Sequence, residues 1–240
     1  MLTIYVYVLD TLADWELGFV TSELHSGRFF KKDAPALSLK TVSYSKEPIH
    51  TMGGMMIVPD CLIEDILLSK TSMLLLPGAD TWNDPKHGPI LEKAGAFLSF
   101  GSSVCAICGA TLALANYGLL DHHHHTSNGV GFLEMFSHKY KGQSSYIDKP
   151  CVTDQNLITA SSTASLPWAK EIIKYLDVFE SSTLESWYDY FTTGDPKHFF
   201  ALMQSLPPRN EVVSNFTTYF IVLTLIIREF IIKRALPPFF

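Results

Sequence analysis

One stretch constrains the fold of this chain more than any other: residues 104–113, with the sequence VCAICGATLA. An apolar segment reaches Cys108, small residues follow at once, and helix-forming residues then continue to Tyr117. This order is typical of a buried strand that turns sharply into a helix, where small residues let the backbone pass close beneath the turn. The sequence therefore predicts that Cys108 lies on a strained elbow with its side chain above the sheet edge.

A cysteine in that position has two chemical advantages. The N-terminus of a helix lowers a thiol pKa from its usual value of about 8.5, and the N–H of Gly109 would face a developing oxyanion. We therefore interpret Cys108 as a nucleophile. Two alternatives stay open: Cys108 as a small buried hydrophobic residue, and a dithiol with Cys105. The dithiol is disfavoured because Cys105 lies three residues back in the strand and should face away.

The size and charge of the chain limit the class of protein. Its 240 residues are enough for one α/β domain with a large core. A net charge of −6 without a basic stripe argues against nucleic-acid binding. Four scattered cysteines suit a reducing compartment. Because the N-terminus lacks a basic, signal-like segment, the expected location is the cytoplasm.

Apolar strands alternate with helical segments from residue 2 to residue 176, which predicts an α/β fold with a doubly wound parallel sheet and helices on both faces. The expected strands are Leu2–Leu9, Leu37–Tyr44, a hairpin over Ile49–Val58, Ser72–Leu76, Ser102–Ile107, Tyr146–Ile147, Cys151–Val152 and Leu157–Ala160. The expected helices are 15–26 (capped by Asp14), 89–100, 109–117, 129–136, 165–176 (capped by Ser165), 183–191 and 197–206.

Further candidate site residues follow other predicted strands. Glu16 lies in the first turn of the helix after strand one, at the edge where open α/β sheets bind ligands. Gly78 and Ala79 end a central strand and are candidates to donate N–H groups to an oxyanion. The alternatives are structural: an acid that complements the helix dipole, and an ordinary turn.

The four consecutive histidines, His122–His125, do not predict a metal site. Neighbouring loop residues do not converge on one ion, and no carboxylate or cysteine lies at ligand spacing. An exposed loop is the favoured interpretation, in which one histidine serves as the base for a nearby thiol. We expect no metal and no cofactor.

A separate tail follows Pro207-Pro208. Its apolar run, Phe216–Ile227, contains twelve residues, whereas a membrane span needs about 20. Three interpretations of 207–240 stay open: a helix packed on a partner subunit, which we favour, a helix on a membrane surface, and a segment without a selected role.

Taken together, four motifs resemble the ThiJ/PfpI family, a branch of the class I glutamine amidotransferase-like fold that includes intracellular proteases or amidases and the Parkinson-associated deglycase. They are Asp14-Trp-Glu16, Leu74-Leu-Leu-Pro-Gly78, Ala106-Ile-Cys-Gly-Ala-Thr111, and Gly118-Leu-Leu-Asp121 with Thr126-Ser-Asn128. The likeness covers residues 1–206 and implies a flavodoxin-like core, a homodimer, and a pairing of Cys108 with Glu16. If Glu16 is protonated, it donates to the thiolate and depresses the thiol pKa.

The chain departs from the family pattern at the third catalytic position. Proteolytic relatives place a histidine directly after the cysteine, where this chain has Gly109, and other members place one at the position of Asn128. We therefore take the nearby His125 as the stand-in base and Asn128 as a ligand-binding residue.

The resulting expectation is a cysteine-dependent hydrolase acting on a small amide or carbonyl compound. Two alternatives stay open: a cofactor-free glyoxalase or deglycase acting on methylglyoxal, and a non-catalytic stress or redox-sensing protein whose output is Cys108 oxidation.

Overall fold

The computed structural model describes residues 1–206; the tail 207–240 and its three interpretations lie outside the described residues. The strands are β1 (Leu2–Tyr7), β2 (Leu37–Ser43), β3 (Ile49–His50), β4 (Met56–Ile57), β5 (Cys61–Leu62), β6 (Ser72–Leu76), β7 (Ser103–Ile107), β8 (Cys151–Asp154) and β9 (Leu157–Ala160). The helices are α1 (Asp14–Ser26), α2 (Gly88–Phe100), α3 (Gly109–Asn116), α4 (Phe132–Phe136), α5 (Ser165–Tyr175), α6 (Ser181–Thr193) and α7 (Pro196–Ser205).

Seven of these strands form one sheet in the order β5-β2-β1-β6-β7-β9-β8, and only β8 runs antiparallel to its neighbour. The central strands β6 and β7 are buried along their whole length, as expected for a parallel sheet covered on both faces. The structure confirms the predicted flavodoxin-like, doubly wound sheet.

The position of β1 in this order decides where a ligand site can form. From β1 the chain moves outward to β2, and it then continues on the other side of β1 with β6 and β7. Right-handed crossovers therefore place α1 and α2 on opposite faces, and they leave a crevice at the carboxyl ends of β1 and β6.

Two predicted helix caps are wrong. Asp14 is the first residue of α1, and the cap position belongs to Ala13. The Asp14 carboxylate instead accepts the N–H of Gly53 from the β3–β4 hairpin at 2.6 Å. Similarly, Ala164 occupies the cap position of α5, and Ser165 is the first helical residue. Neither Ala13 nor Ala164 can cap with its side chain, so both helices begin without the side-chain cap that the sequence predicts.

Short elements differ most from the sequence-based expectation. The hairpin over 49–58 forms as β3 and β4, whereas the two-residue strand β5 is too short to leave a periodic pattern. At the expected strand Tyr146–Ile147, only a bridge between His125 and Tyr146 forms, and α4 begins at Phe132. Within residues 1–206, no helix combines the length and the apolar character needed to cross a membrane.

Candidate active site

Three neighbouring strands deliver the candidate residues to the same edge of the sheet. Glu16 lies in the first turn of α1 after β1, Gly78 follows β6, and Cys108 joins β7 to α3. Because carboxyl ends of adjacent parallel strands meet at one edge, residues far apart in sequence come together there.

Cys108 occupies the elbow that the sequence predicts. Its backbone has φ +57° and ψ −125°, a sparsely populated region that costs a non-glycine residue about 1–3 kcal/mol. Its N–H donates to the carbonyl of Ala160 at 3.0 Å, while its own carbonyl accepts from the N–H and hydroxyl of Thr111. These bonds hold the strained conformation. Cys105 is fully buried within β7, and all four cysteines are free.

Glu16 is completely buried beneath the elbow. Its Oε2 accepts the N–H of Gly78 at 2.6 Å. Its Oε1 is buried without a hydrogen-bond partner among the described residues. A side chain on Gly78 would place Cβ 2.8 Å from Cys108 Cβ and 2.9 Å from both Glu16 oxygens, so only glycine fits between the acid and the cysteine.

The electrostatics of this pair differ from the sequence-based expectation. Burial, together with the nearby Glu16 carboxylate, raises the pKa of Cys108 to about 11. Burial likewise raises the pKa of Glu16. Each negative charge disfavours the other in a poorly solvated site, so the two acids titrate as a coupled pair. The resting pair therefore keeps at least one proton, and the thiol is not activated simply by its position at a helix start.

Asn128 has a fixed orientation toward the thiol. Its Oδ1 accepts the N–H of Ser162 at 2.9 Å, which directs the amide nitrogen to Cys108 Sγ at 3.5 Å. This donor favours the thiolate and lowers the pKa of Cys108 against the larger effects of burial and Glu16. The residue binds the sulfur but has no capacity to accept a proton.

The structure divides the predicted oxyanion donors into two groups. The N–H of Gly78 is already used by Glu16, so this residue holds the acid rather than a ligand. The N–H of Ala79 donates to no carbonyl among the described residues, and the N–H of Gly109 interacts with the Cys108 sulfur, where it lowers the thiol pKa. A Cβ on Gly109 would lie 3.5 Å from the nitrogen of Ala79, so these two donors are close neighbours.

His125 is not brought to the thiol. It is fully buried; its Nδ1 lies 2.7 Å from the carbonyl of His123, and its Nε2 lies 2.7 Å from the hydroxyl of Tyr140. Since the carbonyl can only accept, Nδ1 carries the proton and Nε2 accepts from Tyr140. Burial lowers the pKa of His125. The structure thus corrects the assignment of His125 as the base, because both ring nitrogens serve the packing of the loop.

Cys108 opens onto a cavity of about 290 Å³. Sequence reasoning missed most of its walls, which come from separate parts of the chain: Trp15, Met52, Asp80, Trp82, Asn83, Leu112 and Phe132. Trp15, next to Glu16, and Leu112, within residues 104–113, lie in motifs that would have indicated them. Among residues 1–206, no group of three or more His, Cys, Asp or Glu side chains is placed to hold a metal ion.

This architecture defines a class: an α/β protein with a cysteine on a nucleophile elbow, facing a buried glutamate. The model of the DJ-1/PfpI family matches residues 2–175, and the chain belongs to this family.

Individual relatives cover nearly the same region. An uncharacterized protease of Bacillus subtilis strain 168, YoaZ, is 45% identical over 203 residues, or 85% of this chain and 97% of that protein. A second uncharacterized protease of that strain, YdeA, is 32% identical over 180 residues, or 74% of this chain and 85% of that protein. The crystal structure of a thiJ/pfpI family protein from Bacillus anthracis superposes with a TM-score of 0.83 at 46% identity, covering 86% of this chain and 98% of that one.

Proposed function

We propose that this protein is a hydrolase that uses Cys108 to attack the carbonyl carbon of a small amide. The observation that carries this proposal is the strained elbow, which holds the thiol at the floor of a cavity and directly beside the buried Glu16. The protease names of the B. subtilis relatives agree with this kind of chemistry. The four free cysteines support a reducing location such as the cytoplasm.

The first step of the proposed reaction moves a proton from Cys108 to Glu16. The unpartnered Oε1 is the acceptor, and the transfer removes the charge that opposes the thiolate. Because burial raises the pKa of both groups, the proton stays within the pair, and the transfer leaves the total charge of the pair unchanged. In this proposal Glu16 is therefore the base, the role that the sequence analysis gave to His125.

In the second step the thiolate bonds to the carbonyl carbon, and the electron pair of the C=O bond moves to the oxygen. The N–H groups of Gly109 and Ala79 are the proposed donors to this oxyanion. Collapse of the tetrahedral adduct breaks the C–N bond, and the amine leaves with the proton held by Glu16. Water then attacks the thioester carbonyl and the C–S bond breaks, which releases the carboxylic acid and returns the thiol.

The test is turnover of fluorogenic aminoacyl and short peptidyl amides by the purified full chain. We expect Cys108→Ser to lose at least about 10³-fold in kcat/KM, while Cys61→Ser, a change at a half-buried cysteine outside the cavity, keeps wild-type activity. Amide turnover that survives in Cys108→Ser would overturn the proposal. Cys108-dependent turnover of methylglyoxal without amide cleavage would replace it with the glyoxalase alternative.

A further inference from the structure

The walls of the Cys108 cavity have an unusual charge composition. Most are aromatic or aliphatic, and among the described lining residues none is lysine, arginine or histidine. Apart from the thiol, the single ionisable lining residue is Asp80. The volume of about 290 Å³ lies near the lower end of the range of ligand pockets, about 300–1,000 Å³. It suits one small substrate or one side chain of a longer one.

The backbone of Asp80 is fixed, whereas its carboxylate is available. The N–H of Asp80 donates to Thr11 Oγ1 at 2.9 Å, which anchors the loop after β6. Within residues 1–206 the carboxylate itself forms no hydrogen bond and no ion pair, and the residue is exposed. Because Asp80 also lines the cavity, its carboxylate is available to a ligand that enters there.

Aromatic faces and a carboxylate act in the same direction on a charged ligand. The indole of Trp82 is held by its Nε1–H bond to the Pro77 carbonyl at 2.9 Å, so its ring is a rigid wall of the cavity. Trp15 and Phe132 also line the cavity, and aromatic rings attract a cation that approaches their faces. Asp80 adds a Coulombic attraction for cations and a repulsion of anions.

We propose that this cavity selects substrates that carry a positive charge near the reacting carbonyl, with Asp80 as the specificity-determining residue. The inference rests on the proposed function for its biological meaning, because it names the substrate class of the same site. The charge preference itself is a property of the cavity, and it can be measured on the thiol without any turnover.

The experiment compares two methanethiosulfonates that differ in charge, the 2-(trimethylammonium)ethyl and the 2-sulfonatoethyl reagents. In each reaction Cys108 Sγ bonds to the reagent's thiol sulfur, the S–S bond breaks, methanesulfinate leaves, and the thiol proton passes to water. Labelling of the Cys108 peptide is followed by mass spectrometry, and each rate is divided by the rate with 2-mercaptoethanol. The resulting cation-to-anion ratio is the readout.

After this normalisation the free thiol has a ratio of one. For Cys108 we expect a ratio of about five to ten at low salt, and a decline as salt is added. Asp80→Asn should bring the ratio down at least about threefold. Asp33→Asn, which removes the same charge from an exposed position outside the cavity lining, should leave it unchanged. Urea unfolding of both variants verifies that each is folded.

A ratio equal to that of the free thiol, or one that favours the anion, overturns the proposal. A high ratio that Asp80→Asn does not reduce overturns the assignment to Asp80. Since labelling needs only the thiol, a charge preference without amide turnover would refute the hydrolase and leave the cavity's selectivity established.

Discussion

The backbone N–H of Gly78 lies 2.6 Å from Glu16 Oε2 and donates to it. This bond joins the loop after β6 to the first turn of α1, and it holds a buried acid beside the elbow cysteine. One backbone donor does not compensate for burial, so the pKa of Glu16 is still raised. The charge of this acid raises the pKa of Cys108, and the first prediction addresses that effect.

Replacing Glu16 by glutamine should lower the pKa of Cys108. The pKa of the thiol is raised to about 11 by burial first and by the Glu16 carboxylate second, and glutamine removes only the charge. We expect the midpoint of the pH profile of Cys108 alkylation to fall by at least about one unit, or 1.4 kcal/mol. Glu92→Gln, on the exposed face of α2, is the control. An unchanged midpoint would mean that Glu16 is already protonated in the wild type, as the sequence suggested.

Gly78→Ala should destabilise the protein. The added Cβ would lie 2.8 Å from Cys108 Cβ and 2.9 Å from the Glu16 oxygens, and overpacking of this kind costs about 1–3 kcal/mol. The matched control is Gly18→Ala in α1, where a Cβ meets nothing within 4 Å; that change should stabilise by about 0.5–1 kcal/mol. Urea unfolding measures both free energies of unfolding. A change of the same sign in the two variants, relative to the wild type, would contradict this account.

Asn128→Asp should slow the alkylation of Cys108. The substitution keeps an oxygen that can accept from the N–H of Ser162 but replaces the donor to Sγ by a negative charge. Both changes disfavour the thiolate, so the pKa rises and the rate at pH 8 should fall at least about tenfold. Asn83→Asp adds the same charge to another lining residue that has no hydrogen bond to Sγ, and it should have the smaller effect. Equal effects would show that charge alone accounts for the change.

A buried histidine outside the site should make the fold sensitive to acid. His87 is fully buried with Nδ1 2.7 Å from the hydroxyl of Tyr7, and burial lowers the pKa of His87 to about 4. The unfolded chain binds a proton near pH 6.5 and the folded one near pH 4. The free energy of unfolding therefore falls as the pH drops through this window, by about 3 kcal/mol in total.

Urea unfolding at pH 7 and pH 4, compared between the wild type and His87→Gln, isolates this contribution. Glutamine has no charge to gain. Between pH 7 and pH 4, the free energy of unfolding of His87→Gln should therefore fall by about 3 kcal/mol less than that of the wild type. An equal loss of stability in the two proteins would show that His87 is not the group responsible. Carboxylates that titrate in the same range affect both proteins equally.

Local sequence patterns were sufficient to predict the central strands and the elbow at Cys108. Buried parallel strands such as β6 appear as continuous apolar runs, and Ser72–Leu76 was predicted with its observed bounds. The elbow at Cys108 was equally visible, since a strand, a tight turn and a helix follow one another without interruption. By contrast, the start of α1 was misassigned because the Asp14 carboxylate turns to Gly53 of a distant hairpin.

The sequence by itself determined that Glu16, Gly78 and Cys108 each follow a buried strand, because continuous apolar runs and turn residues mark where such strands end. Only the tertiary structure decided what each side chain does there. Tertiary contacts hold the His125 ring in the packing of its own loop and direct the Asn128 amide nitrogen to Cys108 Sγ. They also bury Glu16 deeply enough to raise its pKa. Orientation, burial and the distance between charges depend on neighbours remote in the chain, and no local pattern encodes them.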